Sequence, residues 1–276
     1  RYFTRMAEAV MAHRGMIAEF TGDGIVALFG APTTYPDDAL RAVACSVAMQ
    51  QELHRFNLAE HKELEMGIGI ATGMVVAGNI GSEKRMKYGV VGEAINLAAR
   101  LESFTVGSQV LIGEATYLEV ADQVQVGEQL ELRAKGKREP VRCYSLQGVF
   151  GPFCLQLPEK QQEIGVSLEL PALCFRITGK QVEVEPLPAT ATLLTRHTLW
   201  LRTGWPVEPL GNLKLHLELG DGRIADDIYG KVTSVESPSG TGESAGEAGA
   251  AYRVELRFTS LPEREREMLL GMLEQA

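Results

Sequence analysis

The 276 residues are enough for two ordinary domains, each able to bury its own core. A hydrophobic fraction of 45% beside 23% charged residues is that of a soluble globular protein, and no apolar run reaches the length of a membrane span. The formal net charge of -9 argues against nucleic acid as a partner, because phosphate neutralisation needs clustered Lys and Arg.

The chain opens on RYFTRMAEAVMAHRG, an amphipathic helix with Phe3, Met6, Ala7, Val10 and Met11 on one stripe and Gly15 placed to end it. It has neither an initiator Met nor a signal peptide, and a start inside a helix implies a further segment upstream. MIAEF and IVALF read as two strands joined by Thr21-Gly22-Asp23-Gly24, a strong hairpin signal. From Asp37 a long helix follows, with Leu40, Val43, Ala44 and Val47 facing inward. LEMGIGIATG, MVVAG and KYGVV are strands, EAINLAARLESF is a helix, and QVLIG is a strand followed by the helix EATYLEVA. Strands between Val124 and Val149 complete a mixed α/β unit.

After Gly148 the texture changes to short alternating strands broken by Pro and Gly, with no helix before Phe258. Residues Glu236 to Ala251 are small, polar and low in complexity, the composition of a mobile loop. The strand YRVELRF and a helix bearing Met268, Leu269, Met272 and Leu273 close the chain. The expected domains are therefore residues 1–149 and 150–276. The four cysteines are scattered without a CxxC pair, which reads as reduced thiols in the cytoplasm.

Three local patterns carry chemistry. Asp23 stands in a tight turn, where a lone carboxylate suits Mg²⁺ that draws its other ligands from phosphate oxygens. Asn96 and Arg100, four residues apart, share one helix face, and a guanidinium fork suits phosphoryl oxygens. Lys135-Gly136-Lys137-Arg138 is a basic turn between strands. Taken singly, each reads more readily as turn chemistry or a solvated face than as a site. The GxG of MGIGIATG lacks the third Gly of a dinucleotide fingerprint, and there is no P-loop, metal-spaced His set or nucleophile elbow.

Together and in this order, EFTGDGIVALFGAP (Glu19–Pro32), GIGIATGMVVAGNIGSEKRMKYGVVGEAINLAARLES (Gly67–Ser103) and LRAKGKREPVRCYSL (Leu132–Leu146) resemble the class III adenylate and guanylate cyclase catalytic domain. The resemblance spans residues 1–149. It implies a ferredoxin-like α/β (α+β) fold working as a head-to-tail homodimer with active sites at the interface. It further implies that Asp23 is the second of two metal-binding aspartates, that Asn96 orients the ribose and that Arg100 stabilises the transition state. Lys135 and Arg85 become contacts to the triphosphate. The implied cofactors are two Mg²⁺ or Mn²⁺ ions per site, and the implied enzyme is a phosphorus–oxygen lyase.

Two departures from the family pattern shape the expectation. The strand carrying the first metal aspartate is absent, so these residues alone are expected to be inactive. The base-selecting positions hold Glu19 and Gly89, where adenylate cyclases carry Lys and Asp or Thr, and guanylate cyclases carry Glu and Cys. The expected reaction is ATP to 3′,5′-cyclic AMP and pyrophosphate in a bacterial signal-transduction protein. A guanylate cyclase, or a non-catalytic signalling module built on a degenerate cyclase dimer, is the alternative.

The second half resembles, on GKVTSVES and YRVELRFTSLPEREREMLLGML, a PilZ domain, a small all-β barrel with a C-terminal helix. Where such domains carry the turn that binds cyclic di-GMP, this chain reads LLTRHTLWL (Leu193–Leu201), and no RxxxR precedes it. Cyclic di-GMP binding is therefore not expected, and a scaffolding or regulatory role is.

Overall fold

The computed structural model describes residues 1–82, 85–132, 140–159, 163–179, 181–220, 222–236 and 251–274, with backbone alone for 79–82, 85–88 and 128. The chain divides into two compact units, Arg1–Lys160 and Gln161–Ala276.

In the first unit, helix α1 (Tyr2–Ala12) leads into the hairpin of β1 (Met16–Thr21) and β2 (Gly24–Leu28), and then into the 23-residue helix α2 (Asp38–Glu60). Gly15 is not the left-handed residue that ends α1. Arg14 takes that conformation, at φ 57°, and Gly15 is needed for space, since a Cβ there would lie 2.7 Å from the Phe29 ring. Strand β3 (Ile68–Ile70) precedes a second hairpin, β4 (Val76–Ser82) and β5 (Arg85–Val91), and helix α3 (Glu93–Phe104). Then come β6 (Val110–Gly113), α4 (Glu114–Val120), β7 (Val124–Leu132), β8 (Val141–Val149) and the two-residue β9 (Leu155–Gln156).

The main sheet runs β3-β6-β8-β7, with β9 on β8, and β3–β6 is its parallel pair. Leu40, Val43, Ala44 and Val47 of α2 pack on Val110, Ile112, Leu146 and Val149 of this sheet, so the inward stripe read from the sequence is the core. Among the described residues β2 ladders only with β1 and β3 only with β6, which leaves one open edge on each.

The second unit is a closed barrel. Strands β10 (Val166–Thr178), β12 (Leu187–Leu194), β13 (Thr198–Thr203), β16 (Tyr252–Ser260), β15 (Ile224–Glu236) and β14 (Asn212–Glu218) pair antiparallel in that order, and β14 pairs back onto β10. The short β11 (Gln181–Val182) adds to β10. Period-two alternation sends Leu199 and Leu201 inward with Leu215, Leu217, Val254 and Leu256, and leaves Trp200 and Arg202 facing outward. Closure removes the unpaired edges that would otherwise invite aggregation. Helix α5 (Glu263–Glu274) packs Met268, Leu269, Met272 and Leu273 against the barrel core. Most of the low-complexity stretch, 237–250, lies outside the described residues. The four cysteines are unpaired. Burial pushes Cys45 and Cys174 up to about 12 and Cys143 to about 11, which keeps these three thiols protonated at neutral pH.

A carboxylate pins the entry to the barrel. Glu163 accepts hydrogen bonds from the Thr195 hydroxyl at 2.5 Å and the His197 amide at 3.1 Å, and its other oxygen lies 2.6 Å from His197 Nδ1. Partial burial would raise the Glu163 carboxyl, but these hydrogen bonds and the imidazole outweigh it and hold the group below its usual range. A folded-state pKa below the unfolded one contributes stability that is present above the unfolded value, about 4.3, and is lost as pH falls through the folded value. Between about pH 5 and pH 3 the barrel of the wild-type chain should therefore lose more denaturant stability than that of Glu163→Gln. Parallel profiles would show that the carboxylate is not coupled to folding.

Candidate active site

The β1–β2 hairpin presents Asp23 at its tip. Thr21 pairs with Gly24, and the two residues between them form the turn. Gly22 has φ +62° while Asp23 is outside the left-handed region, the pattern of a turn whose first central residue must be Gly. Asp23 is exposed. Helix α1 runs along the hairpin: Phe3 meets Phe20 edge-on at 5.2 Å, and Tyr2 lies close enough to Asp23 to feel its charge. Burial first, and the Asp23 carboxylate second, hold the Tyr2 phenol above its usual range.

Helix α3 carries the other pair. Ala94 and Leu101 are buried on one side, and Asn96 and Arg100 occupy the opposite side, with Asn96 exposed and Arg100 partly so. What holds the helix is a backbone contact. A Cβ on Gly69 of β3 would fall 2.2 Å from the Ala98 carbonyl oxygen and 2.4 Å from the Glu102 nitrogen, and one on Gly67 would fall 1.8 Å from Thr105 Oγ1. At the start of the helix, a Cβ on Gly92 would meet the Met74 carbonyl oxygen at 2.8 Å. Three glycines thus let α3 lie directly on the strand and on the loop beside it.

Glu19 of β1 pairs with Val26, and Gly89 of β5 pairs with Gly78. Strands β1 and β5 run close together, so Glu19 and Gly89, the two positions expected to select the base, sit on neighbouring strands. The extensive contacts of α3 are with β3 and β6, not with the hairpin that bears Asp23. Lys135 and the side chain of Arg85 lie outside the described residues. Among the described residues no group of three or more His, Cys, Asp or Glu is placed to hold a metal ion. Asp23 suits a hard cation that completes its shell with water and triphosphate oxygens, but it does not form a closed metal site by itself. Also among the described residues, no helix is long and apolar enough to cross a membrane.

Residues 1–148 match the family model of the adenylate and guanylate cyclase catalytic domain. The chain belongs to that family. Of the solved structures it resembles, the guanylyl cyclase Cya2 is 50% identical, with a TM-score of 0.55 over 57% of this chain and 82% of that one. The adenylyl cyclase CyaB from P. aeruginosa is 32% identical, with a TM-score of 0.51 over 52% and 78%. Adenylate cyclase 1 of Rhizobium meliloti is 32% identical over 154 residues, 54% of this chain and 23% of that protein. An uncharacterized protein of Mycobacterium tuberculosis is 38% identical over 155 residues, 52% of this chain and 26% of that protein. The chain spans about a quarter of the length of these curated relatives.

Two features of the cyclase unit escaped the sequence reading. The Gly67-Ile68-Gly69 run does not make a nucleotide fingerprint, but its second Gly, on β3, is the seat of α3. Met74, Val76 and Val91, read as ordinary strand residues, are 93%, 69% and 53% exposed around the start of α3. The run MVV next to a Gly-rich turn was the available signal, but strand periodicity does not say which face stays open. Gly69→Ala should lower the stability of the cyclase unit by about 1–3 kcal/mol, the cost of forcing bulk into a packed contact. Urea unfolding followed in this unit checks it, and an unchanged midpoint would mean that α3 does not rest on β3.

Proposed function

We propose that the cyclase unit supplies one half of a nucleotide cyclase active site and works as a homodimer. The observation that carries this reading is the two-sided character of α3: one side is locked to the sheet through glycine contacts, and the other displays Asn96 and Arg100. Asp23 stands on a separate element with which α3 shares no extensive contact, as expected if each site takes Asp23 from one protomer and Asn96 and Arg100 from the other. The exposed apolar group Met74, Val76 and Val91 beside α3 suits an interface, since contiguous apolar surface is seldom left to water.

In the proposed reaction the ribose 3′-oxygen forms a bond to the α-phosphorus, the bond from that phosphorus to the bridging oxygen breaks, and pyrophosphate leaves with that electron pair while the 3′-hydroxyl proton goes to solvent. Asn96 orients the ribose. Arg100 meets the charge that develops on the α-phosphoryl oxygens, an electrostatic term that dominates where positioning does most of the work. Lys135 and Arg85 hold the triphosphate. Mg²⁺ or Mn²⁺, when bound at Asp23, would supply charge neutralisation at the triphosphate.

ATP is the substrate expected from the sequence, and the Rhizobium and P. aeruginosa relatives are adenylate cyclases by name. GTP has the more specific support. A carboxylate at Glu19 can accept hydrogen bonds from guanine's ring N–H and amino group, and Cya2, the relative at 50% identity, is a guanylyl cyclase. The barrel, with its closed core and terminal helix, is assigned a scaffolding or regulatory role of PilZ type. In the complete gene product Glu19→Lys should shift the ratio of kcat/KM toward ATP by at least tenfold, because Lys offers guanine no acceptor. Turnover of ATP and GTP measured in parallel decides it, and an unmoved ratio would show that Glu19 does not face the base.

A further inference from the structure

Arg41, on the first turn of α2, is 4% exposed. Its Nε donates to Asp37 Oδ1 at 3.0 Å and its Nη2 to Asp38 Oδ1. Its Nη1 donates to two backbone carbonyls, His13 O at 2.9 Å and Arg14 O at 3.3 Å. The guanidinium also lies over the Tyr35 ring, 4.6 Å from its centroid. Asp38 spends its second oxygen on the Tyr35 amide, at 2.8 Å, and a Cβ on Gly30 would fall 2.8 Å from that same oxygen.

These partners flank one hairpin in the chain, and both flanks lie at its open end. His13 and Arg14 lie in the short link between α1 and β1, and Gly30 and Tyr35 belong to the loop that leaves β2. One buried guanidinium therefore ties both legs of the hairpin together at its open end. Asp23 stands at the closed end. Because β2 has no other ladder partner among the described residues, the direction in which the hairpin projects depends on this clamp together with Phe3 against Phe20 and the approach of β5 to β1.

We propose that Arg41 is a positioning residue for Asp23, a clamp at the base of the hairpin that fixes where the tip carboxylate is presented. This rests on the cyclase reading of Asp23. Leverage gives it weight. Six residues of β1 span about 20 Å at ~3.4 Å each, so a rotation of about 10° at the base carries the tip through about 3.5 Å. Misplacement of a reacting group by about 1 Å can cost ~10²-fold in rate. Lysine would not replace the clamp, because a point charge cannot reproduce a planar fork that reaches four acceptors.

The test uses hydrogen–deuterium exchange on the 276-residue chain and a metal titration on the complete gene product, with Arg41→Lys and the milder Asp38→Asn. Amides of residues 16–28 should exchange at least tenfold faster in Arg41→Lys, and to a smaller degree in Asp38→Asn, while amides of α3, β6 and β8 keep their protection. The Mn²⁺ concentration for half-maximal turnover should rise at least tenfold with the nucleotide KM unchanged, a split that mere loss of folded protein would not produce. Unchanged hairpin exchange, exchange accelerated evenly across the unit, or an unmoved Mn²⁺ midpoint would each overturn the proposal. The cyclase reading is judged separately by Asp23→Asn. An active Asp23→Asn enzyme would defeat that reading while leaving the exchange result intact.

Discussion

The approach of Ala98 and Glu102 to Gly69 is the contact on which the cyclase unit depends. Helix and strand touch there through their backbones, so no side chain sets their separation and none can relax to change it. The position of Asn96 and Arg100 relative to the main sheet follows directly. Asp23, the other candidate group, is held differently. Asp23 stands on a two-stranded hairpin outside that sheet, supported by Phe3 near its tip and by Arg41 at its base. A rigid platform and a clamped lever are thus two separate supports, as suits the proposed assembly of one site from two protomers.

Much of the candidate site's local structure could be read from short-range signals because it is built from short segments. The Gly22-Asp23 turn and the i, i+4 pair on α3 are properties of short segments, and both stand where the sequence put them. The inward stripe Leu40, Val43, Ala44 and Val47 was legible for the same reason, since one period decides it. Gly15 shows the limit. A glycine after a helix ordinarily signals a left-handed cap, but Arg14 accepts that conformation and the glycine answers instead to Phe29, a neighbour fourteen residues on. Gly69 and Arg41 share this character: their meaning comes from α3 and from the carbonyls of His13 and Arg14, partners that no window of sequence contains.

Closure of the barrel was likewise beyond local reading. Alternation in β10 and β14 marks two strands, but only the pairing of Ala172 with Leu217 through Ile177 with Asn212 turns a sheet into a ring. Glu163 is another such case, an acidic residue in a loop whose role appears once Thr195 and His197 fold over it. The pair expected to select the base is ambiguous for a chemical reason rather than a topological one. Glu19 offers acceptors, and Gly89 offers no side chain with which to refuse either base.

The central claim is that Asp23 and Arg100 serve one cyclase site from different chains. It is tested most directly by mixing Asp23→Ala and Arg100→Ala protomers of the complete gene product, co-expressed with two tags and purified through both. Each variant alone should be nearly inactive, since loss of one charge-stabilising group is worth about 10²–10³ in kcat. In the heterodimer one site collects both lesions and the other neither, so activity should return, to about half of wild type per purified heterodimer when the two sites are independent. Verified heterodimers that stay inactive would contradict the account.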